Sequence, residues 1–266
     1  MTKRQDNEPV HIDRTRALSF GNDPDSYDKR RPSYPAAMVD DLMADAPHRV
    51  LDVGCGTGIA SRLFAARGCS VLGLEPDERM AAFASARGTI TEVTTFETWS
   101  PPPESFDLVI SAQAWHWVDP ATGPQKAAKV LRTGGRFAAF WSQYGHDPEA
   151  TAAFEDVYRR HAPQLLDKGS LPLGSAKFSF VNQLTETLRQ SGLYVDAEVR
   201  TYIWDQRYAT QEWIEHIGTI SDHGMLAPAT LDALLGAVAS AVDGLGGHIV
   251  VHFQTLCVTA VRRGSD

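Results

Sequence analysis

The chain has 266 residues, 43% of them hydrophobic and 22% charged, with a formal net charge of −8. That is ample for one sizeable core with insertions, while the acidity and the lack of any dense Lys/Arg cluster speak against a nucleic-acid partner. No apolar run reaches the roughly 18 residues a membrane span needs, and Met1 to Arg16 is polar, so a cytoplasmic protein with no membrane partner is expected.

Taken from the N-terminus, residues 1–35 read as an arm. Its segment Tyr27-Asp28-Lys29-Arg30-Arg31-Pro32-Ser33-Tyr34-Pro35 is denser in aromatic and basic groups than a plain lead-in needs. Tyr27 and Arg31 stand four apart on one helical face, and Pro32 stiffens the chain behind them. Residues 36–142 then alternate strands near 49–54, 70–75, 90–95, 106–111 and 136–141 with helices near 59–68, 78–88 and 121–132. This pattern predicts a parallel, doubly wound α/β sheet.

Within it, Val50-Leu51-Asp52-Val53-Gly54-Cys55-Gly56-Thr57-Gly58 reads as a buried strand running into a glycine turn and a helix, so a ligand is expected to rest on bare backbone. The third glycine comes one residue too early for the dinucleotide fingerprint, and Ile59 stands where that glycine would be. Asp52 would repel a pyrophosphate and favour an ammonium group. Glu75, at the end of the second strand, occupies the place where a ribose diol is bound by two acceptor oxygens. Adenosine joined to a charged amino acid fits these features best.

Further on, a helix near 180–191 leads to a strand near 196–204, and Ile249 to Leu256 forms a closing strand. Residues 143–179 and 205–247 carry helical signals at Ala150–His161, Thr210–Ile220 and Pro228–Val242, and read as cap insertions over the strand ends. The core is thus expected at 36–142 and 180–204, with its last strand in 248–263. Cys55, Cys69 and Cys257 form no paired spacing and read as reduced packing residues. His248 and His252 lie too far apart along a strand to share a metal, and His216 and His223 are expected to be solvated or capping, so no metal is predicted.

The run LDVGCGTG, the acid Glu75, Ser105-Phe106-Asp107-Leu108-Val109-Ile110-Ser111 and Leu131-Arg132-Thr133-Gly134-Gly135-Arg136-Phe137 together resemble, in order and spacing, the motifs of class I S-adenosylmethionine-dependent methyltransferases. The resemblance implies a seven-stranded sheet of order 3-2-1-4-5-7-6 with the last strand antiparallel. It also implies S-adenosylmethionine as cofactor, released as S-adenosylhomocysteine. Asp52, Gly54, Gly56, Gly58 and Glu75 would hold the donor, with Pro76 and Met80 flanking the adenine, Thr95, Phe96 and Glu97 at its edge, and Ser111 and Gln113 beyond the fourth strand. Thr95 stands where the commoner pattern has an Asp, which leaves Glu97 or a backbone carbonyl as the alternative acceptor for the adenine amino group.

The arm is similar to the Y-x-x-x-R-P-x-Y-P segment of small-molecule methyltransferases of the trans-aconitate type, which makes Tyr27 and Arg31 lid residues with the guanidinium aimed at the cofactor carboxylate. Ser111 to Pro120 also looks like that subfamily, which often has a His-Trp pair here, and it lacks the motifs of nucleobase methylation. His116 is a general base, an anchor for an anionic acceptor, or a residue packed between tryptophans. Trp115, Trp117 and Trp141 are expected to line the acceptor side. The expected activity is methyl transfer to a small molecule, O-directed onto a carboxylate or hydroxyl. N- or C-transfer to a natural-product scaffold, and cofactor binding without catalysis, remain open, as does the choice of monomer or homodimer.

Overall fold

The computed structural model describes residues 21, 23–101, 103–167 and 179–264. Two short helices, α1 (Pro24–Arg30) and α2 (Ala36–Leu42), precede β1 (Arg49–Val53), α3 (Ile59–Ala65), β2 (Ser70–Leu74), α4 (Glu78–Ala86), β3 (Ile90–Glu92) and β4 (Phe106–Ala112). A 3₁₀ turn over Trp115–Trp117 leads to α5 (Gly123–Val130) and β5 (Leu131–His146). Then come α6 (Pro148–His161), α7 (Pro163–Asp167), α8 (Ser179–Gln190), β6 (Tyr194–Ala209), α9 (Thr210–Gly218), α10 (Ser221–Gly224), α11 (Pro228–Gly244) and β7 (His248–Arg262).

The seven strands form one sheet in the order β3-β2-β1-β4-β5-β7-β6. β1 to β5 pair in parallel, and β7 runs antiparallel to both β5 and β6. The parallel strands are buried on both faces, which is why they read as near-continuous Val/Leu/Ile runs. Alternate residues feed opposite cores. Leu51, Val109, Phe137 and Trp141 pack with α5 and α8 on one face, whereas Val50, Leu108, Ala138 and Phe140 pack with α2 and α3 on the other.

Three strands outrun their predicted ends. β5 and β6 are 16 residues long and β7 is 15. The ladder therefore continues through 143–146 and 205–209, where the sequence suggested cap insertions. Those stretches, Gln143-Tyr144-Gly145-His146 and Asp205-Gln206-Arg207-Tyr208, contain no aliphatic residue and lose the apolar signature, yet each pairs with β7. β3 is shorter than expected because the chain turns away after Glu92. The extended ends of β5, β6 and β7 carry α6, α7, α9, α10 and α11 above the carboxyl ends of the parallel strands. There Phe154, Tyr158, Trp213, Leu234, Val238 and Phe253 build a third core, each large apolar side chain contributing roughly 1.5–3 kcal/mol of burial.

The three cysteines are buried and free. Among the described residues no helix is long and apolar enough to cross a membrane.

Candidate functional site

β1 ends in a loop whose Gly54, Gly56 and Gly58 hold φ of +72°, +57° and +84°, left-handed conformations that favour glycine. Space is closed to side chains as well: a Cβ on Gly54 would stand 2.5 Å from the Ala114 Cβ, and one on Gly58 2.7 Å from Thr89 Oγ1. The result is bare backbone at the start of α3, flanked by Met80, whose methyl lies 3.7 Å from where a Gly56 Cβ would be. Pro76 stands half-buried just past β2.

Two buried carboxylates border this loop. Glu75 accepts from the Gly56 and Asp77 backbone N–H groups, both at 2.9 Å. Asp52 is fully buried; its Oδ2 accepts from Ser61 Oγ at 2.6 Å, while Oδ1 has no partner among the described residues. Burial lifts Asp52 to about 6 and Glu75 to about 7. An orphaned buried oxygen beside bare backbone fits a ligand that brings a positive charge, and the spare lone pairs of Glu75 fit hydroxyl donors. These residues suit S-adenosylmethionine.

The expected adenine edge is arranged differently. Glu97 Oε1 accepts from the backbone N–H of the distant Asp119 at 3.0 Å, and the Thr95 hydroxyl lies 3.0 Å from that of Thr98 within its own turn. Phe96 is buried with its ring 5.7 Å from that of Trp115. Ser111 Oγ donates to the Val53 carbonyl at 2.8 Å and locks β4 to the end of β1. Gln113 takes a φ of +58° and donates to the Ser142 carbonyl at 3.2 Å. That left-handed kink carries Ala114 against Gly54, backbone strain placed where the site is built.

Of the tryptophans, Trp115 and Trp141 belong to the main core rather than to an open wall. Trp115 packs edge-on against Phe137 at 4.7 Å. Trp117 is half-buried beside His116, 4.9 Å between ring centres. Trp141 Nε1 donates to His116 Nδ1 at 3.1 Å. Because an indole N–H can only donate, neutral His116 carries its hydrogen on Nε2.

The arm joins the two sides of the site. Asp23 caps α1 by accepting from Ser26 N at 3.0 Å. Toward the glycine loop, Arg62 bonds Asp28 at 2.7 Å and also donates to the Thr57 carbonyl at 2.7 Å. Toward the cap, Arg31 donates to the Thr219 carbonyl at 3.2 Å with its guanidinium over the Tyr27 ring, and His216 Nδ1 lies 2.8 Å from the Arg30 carbonyl. Tyr34 packs edge-on against Phe140 at 4.8 Å, and burial, aided by Tyr27 and Asp52 nearby, holds its phenol protonated.

His216 is not solvated, contrary to expectation: it is 1% exposed. Tyr144 joins it from the far end of β5. Tyr144 is not singled out by the sequence, and the inward face of His216 is missed. The signal was there in Trp213, His216 and Ile217, whose i, i+3, i+4 spacing marks an inward helical face.

A family model described as a methyltransferase domain matches residues 51–139. An uncharacterised methyltransferase of Mycobacterium tuberculosis is 35% identical over 161 residues, 60% of this chain and 66% of that protein, so the match spans just under two thirds of the relative. The ubiquinone biosynthesis O-methyltransferase of Stutzerimonas stutzeri is 30% identical over 59% of this chain and 69% of its own length. Among solved structures, a protein assigned as a type II methyltransferase from Anaeromyxobacter dehalogenans superposes with a TM-score of 0.66 at 24% identity, covering 88% of this chain and 99% of that one.

Proposed function

Since the chain belongs to the class I S-adenosylmethionine-dependent methyltransferases, we propose that it methylates a small molecule, with transfer directed to oxygen of a carboxylate or hydroxyl. The observation that carries this reading is the pair Asp52 and Glu75 beside the glycine loop, one with an unpartnered buried oxygen. The similarity to an O-methyltransferase of Stutzerimonas stutzeri supports the choice of oxygen.

When bound, the cofactor supplies an electrophilic methyl group on a sulfonium. The chain's own task is to hold donor and acceptor in line and to exclude water. In this reading Asp52 receives the ammonium group, Glu75 the ribose hydroxyls, and the loop backbone and Met80 the remainder. The described part of the arm, residues 23–35, acts as the lid, with Tyr27 and Arg31 over the cofactor. His116, donating through Nε2–H, orients an acceptor oxygen, and the half-buried Trp117 offers it an apolar wall. An ionised acceptor needs no base at this histidine.

The test is a screen of small carboxylates and phenols with labelled S-adenosylmethionine, alongside calorimetry with S-adenosylhomocysteine. Binding together with label transfer to an oxygen is expected. Binding without transfer to any acceptor would leave a cofactor-binding protein that is not an enzyme.

A further inference from the structure

The glycine loop cannot fasten itself through side chains at Gly54, Gly56 and Gly58, and their left-handed φ values leave it conformationally free without outside support. Part of that support comes from the end of β2: the Gly54 and Cys55 N–H groups donate to the Leu74 carbonyl at 2.9 and 3.0 Å, and the Gly56 N–H donates to Glu75. Thr57 is held in another way. Its hydroxyl is buried without a hydrogen bond among the described residues, so the side chain does not fasten it. Ser61, one turn further on, is drawn to Asp52, to which its hydroxyl donates at 2.6 Å and its backbone N–H also points. Arg62 takes up the Thr57 carbonyl instead, its Nη1 donating at 2.7 Å.

The second outer nitrogen of the same guanidinium leaves the loop. Arg62 Nη2 donates to Asp28 Oδ1 of α1 at 2.7 Å. The Asp28 side chain is withdrawn from water, so its charge depends on partners the protein supplies. Arg87, just past α4, is the other partner, 3.5 Å from Oδ2. Arg87 is directed elsewhere as well, to Asp25 at 3.3 Å and over the Phe83 ring, whereas Arg62 bonds the loop. A planar guanidinium holds its two outer nitrogens in a fixed fork, so a shift of the Thr57 carbonyl is felt at Asp28 and a shift of Asp28 is felt in the loop.

We propose that Arg62 is a positioning residue that couples the anchoring of the arm to the binding of the cofactor. The inference rests on the methyltransferase reading above and adds how its cofactor loop is set. A cofactor resting on the loop backbone restricts the Thr57 carbonyl, Arg62 is then held with Nη2 toward Asp28, and α1 is seated. Linkage runs equally in reverse. An arm seated on Arg62 presents a loop already ordered, so binding loses less conformational freedom. Arg62 needs no bond to the cofactor for this. Its two hydrogen bonds, one to the loop and one to the arm, are the coupling.

The test uses the full chain with and without S-adenosylhomocysteine, read by calorimetry and by amide hydrogen exchange in α1. In the wild type the ligand should slow exchange in α1 by about tenfold, within the usual range of coupling between two sites. Arg62→Met, which keeps the side-chain stem and removes both donors, should abolish that slowing and weaken S-adenosylhomocysteine by about tenfold. Asp28→Ala leaves the loop's own bonds in place and should also abolish the slowing, so it decides the matter even where Arg62→Met fails to fold. The double variant should bind the ligand no more weakly than Arg62→Met alone, because the two residues form one link. Arg87→Gln should speed exchange in α1 yet keep the slowing by ligand, which separates coupling from mere support of the arm. Ligand-induced slowing that survives in Asp28→Ala, additive losses of affinity in the double variant, or no slowing in a wild type that binds the ligand would overturn the assignment. Failure of S-adenosylhomocysteine to bind the wild type would instead overturn the methyltransferase reading.

Discussion

The glycine-loop half of the molecule buries acids and the cap half buries bases. Asp52 and Glu75 are pushed up to about 6 and about 7, whereas His146, His216 and His223 are pushed down to about 4. Desolvation is the first cause in every case, and it disfavours the charged form whichever sign that form has. The acids are therefore poised to ionise when a cation arrives beside them, while the bases stay neutral and keep their lone pairs. One half is made to receive positive charge with the donor, and the other resists positive charge.

The largest expected effect separates the halves by pH. A histidine whose folded pKa is depressed contributes stability that is complete above its unfolded value of about 6.5 and is lost as pH falls through about 4. Each of the three should cost on the order of 3 kcal/mol over that window. Hydrogen exchange between pH 7 and pH 4 should show α9 to α11 losing protection before β1 and β4. Loss of protection in both regions together would remove the distinction drawn here.

The carboxylates give the opposite slope. Their raised pKa values contribute stability that is complete below the unfolded carboxylate range and lost as pH rises through about 6 to 7. Asp52→Asn should therefore stabilise the ligand-free protein above pH 7 by up to roughly 3 kcal/mol while weakening S-adenosylhomocysteine. Thermal melts and calorimetry on the same variant check both signs, and a variant that is neutral or destabilised without ligand would show the Asp52 charge to be compensated. Next in size, Glu75→Ala should weaken S-adenosylhomocysteine by about 1.5–3 kcal/mol, the worth of hydrogen bonds to a charged acceptor. Unchanged affinity in calorimetry would remove Glu75 from the cofactor site.

The two halves also differ in how much their sequence discloses. In the glycine-loop half, function demands local features: three left-handed glycines, an acid two residues before them and another at the next strand end, all visible as short motifs. The sheet order came from the resemblance those motifs carry, and it matches the observed pairing. The cap is assembled from α6, α7, α9, α10, α11 and the ends of β5, β6 and β7, and the arm fastens to it across 188 positions where Arg31 meets Thr219. No window of sequence displays such a contact. A solvated or capping His216 is therefore what the sequence suggests, although the fold buries it, and the expected pocket wall Trp115 faces Phe96 and Phe137. Nor does any local window reveal that Glu97 accepts from the Asp119 backbone N–H.

The smallest effects lie where the arm fastens to each half, and they fix which side of the lid opens. Toward the glycine loop, Asp28 has a side chain only 7% exposed and bonds Arg62 at 2.7 Å, with Arg87 at 3.5 Å. Asp28→Ala should cost roughly 1.5–3 kcal/mol, as for hydrogen bonds between charged groups out of water. Toward the cap, Arg30 and Glu215 meet at 3.4 Å with side chains 35% and 37% exposed. Water and salt screen such a pair, so a double-mutant cycle on Arg30 and Glu215 should return about 0.2–1 kcal/mol, less in high salt. Arg31–Thr219 and His216–Arg30 add two hydrogen bonds on the cap side, but two arginines clasp the buried Asp28 on the other, so an arm acting as the proposed lid should pivot about Asp28. α1 should then part from α9 while it keeps Asp28 on Arg62, which uncovers His216 without disturbing the glycine loop. Distance measurements between spin labels at positions 26 and 211 should show a population of opened molecules that Glu215→Ala enlarges. The distance from position 26 to a label on α4 should stay fixed in the same experiment, and a variable distance there would place the pivot on the cap instead.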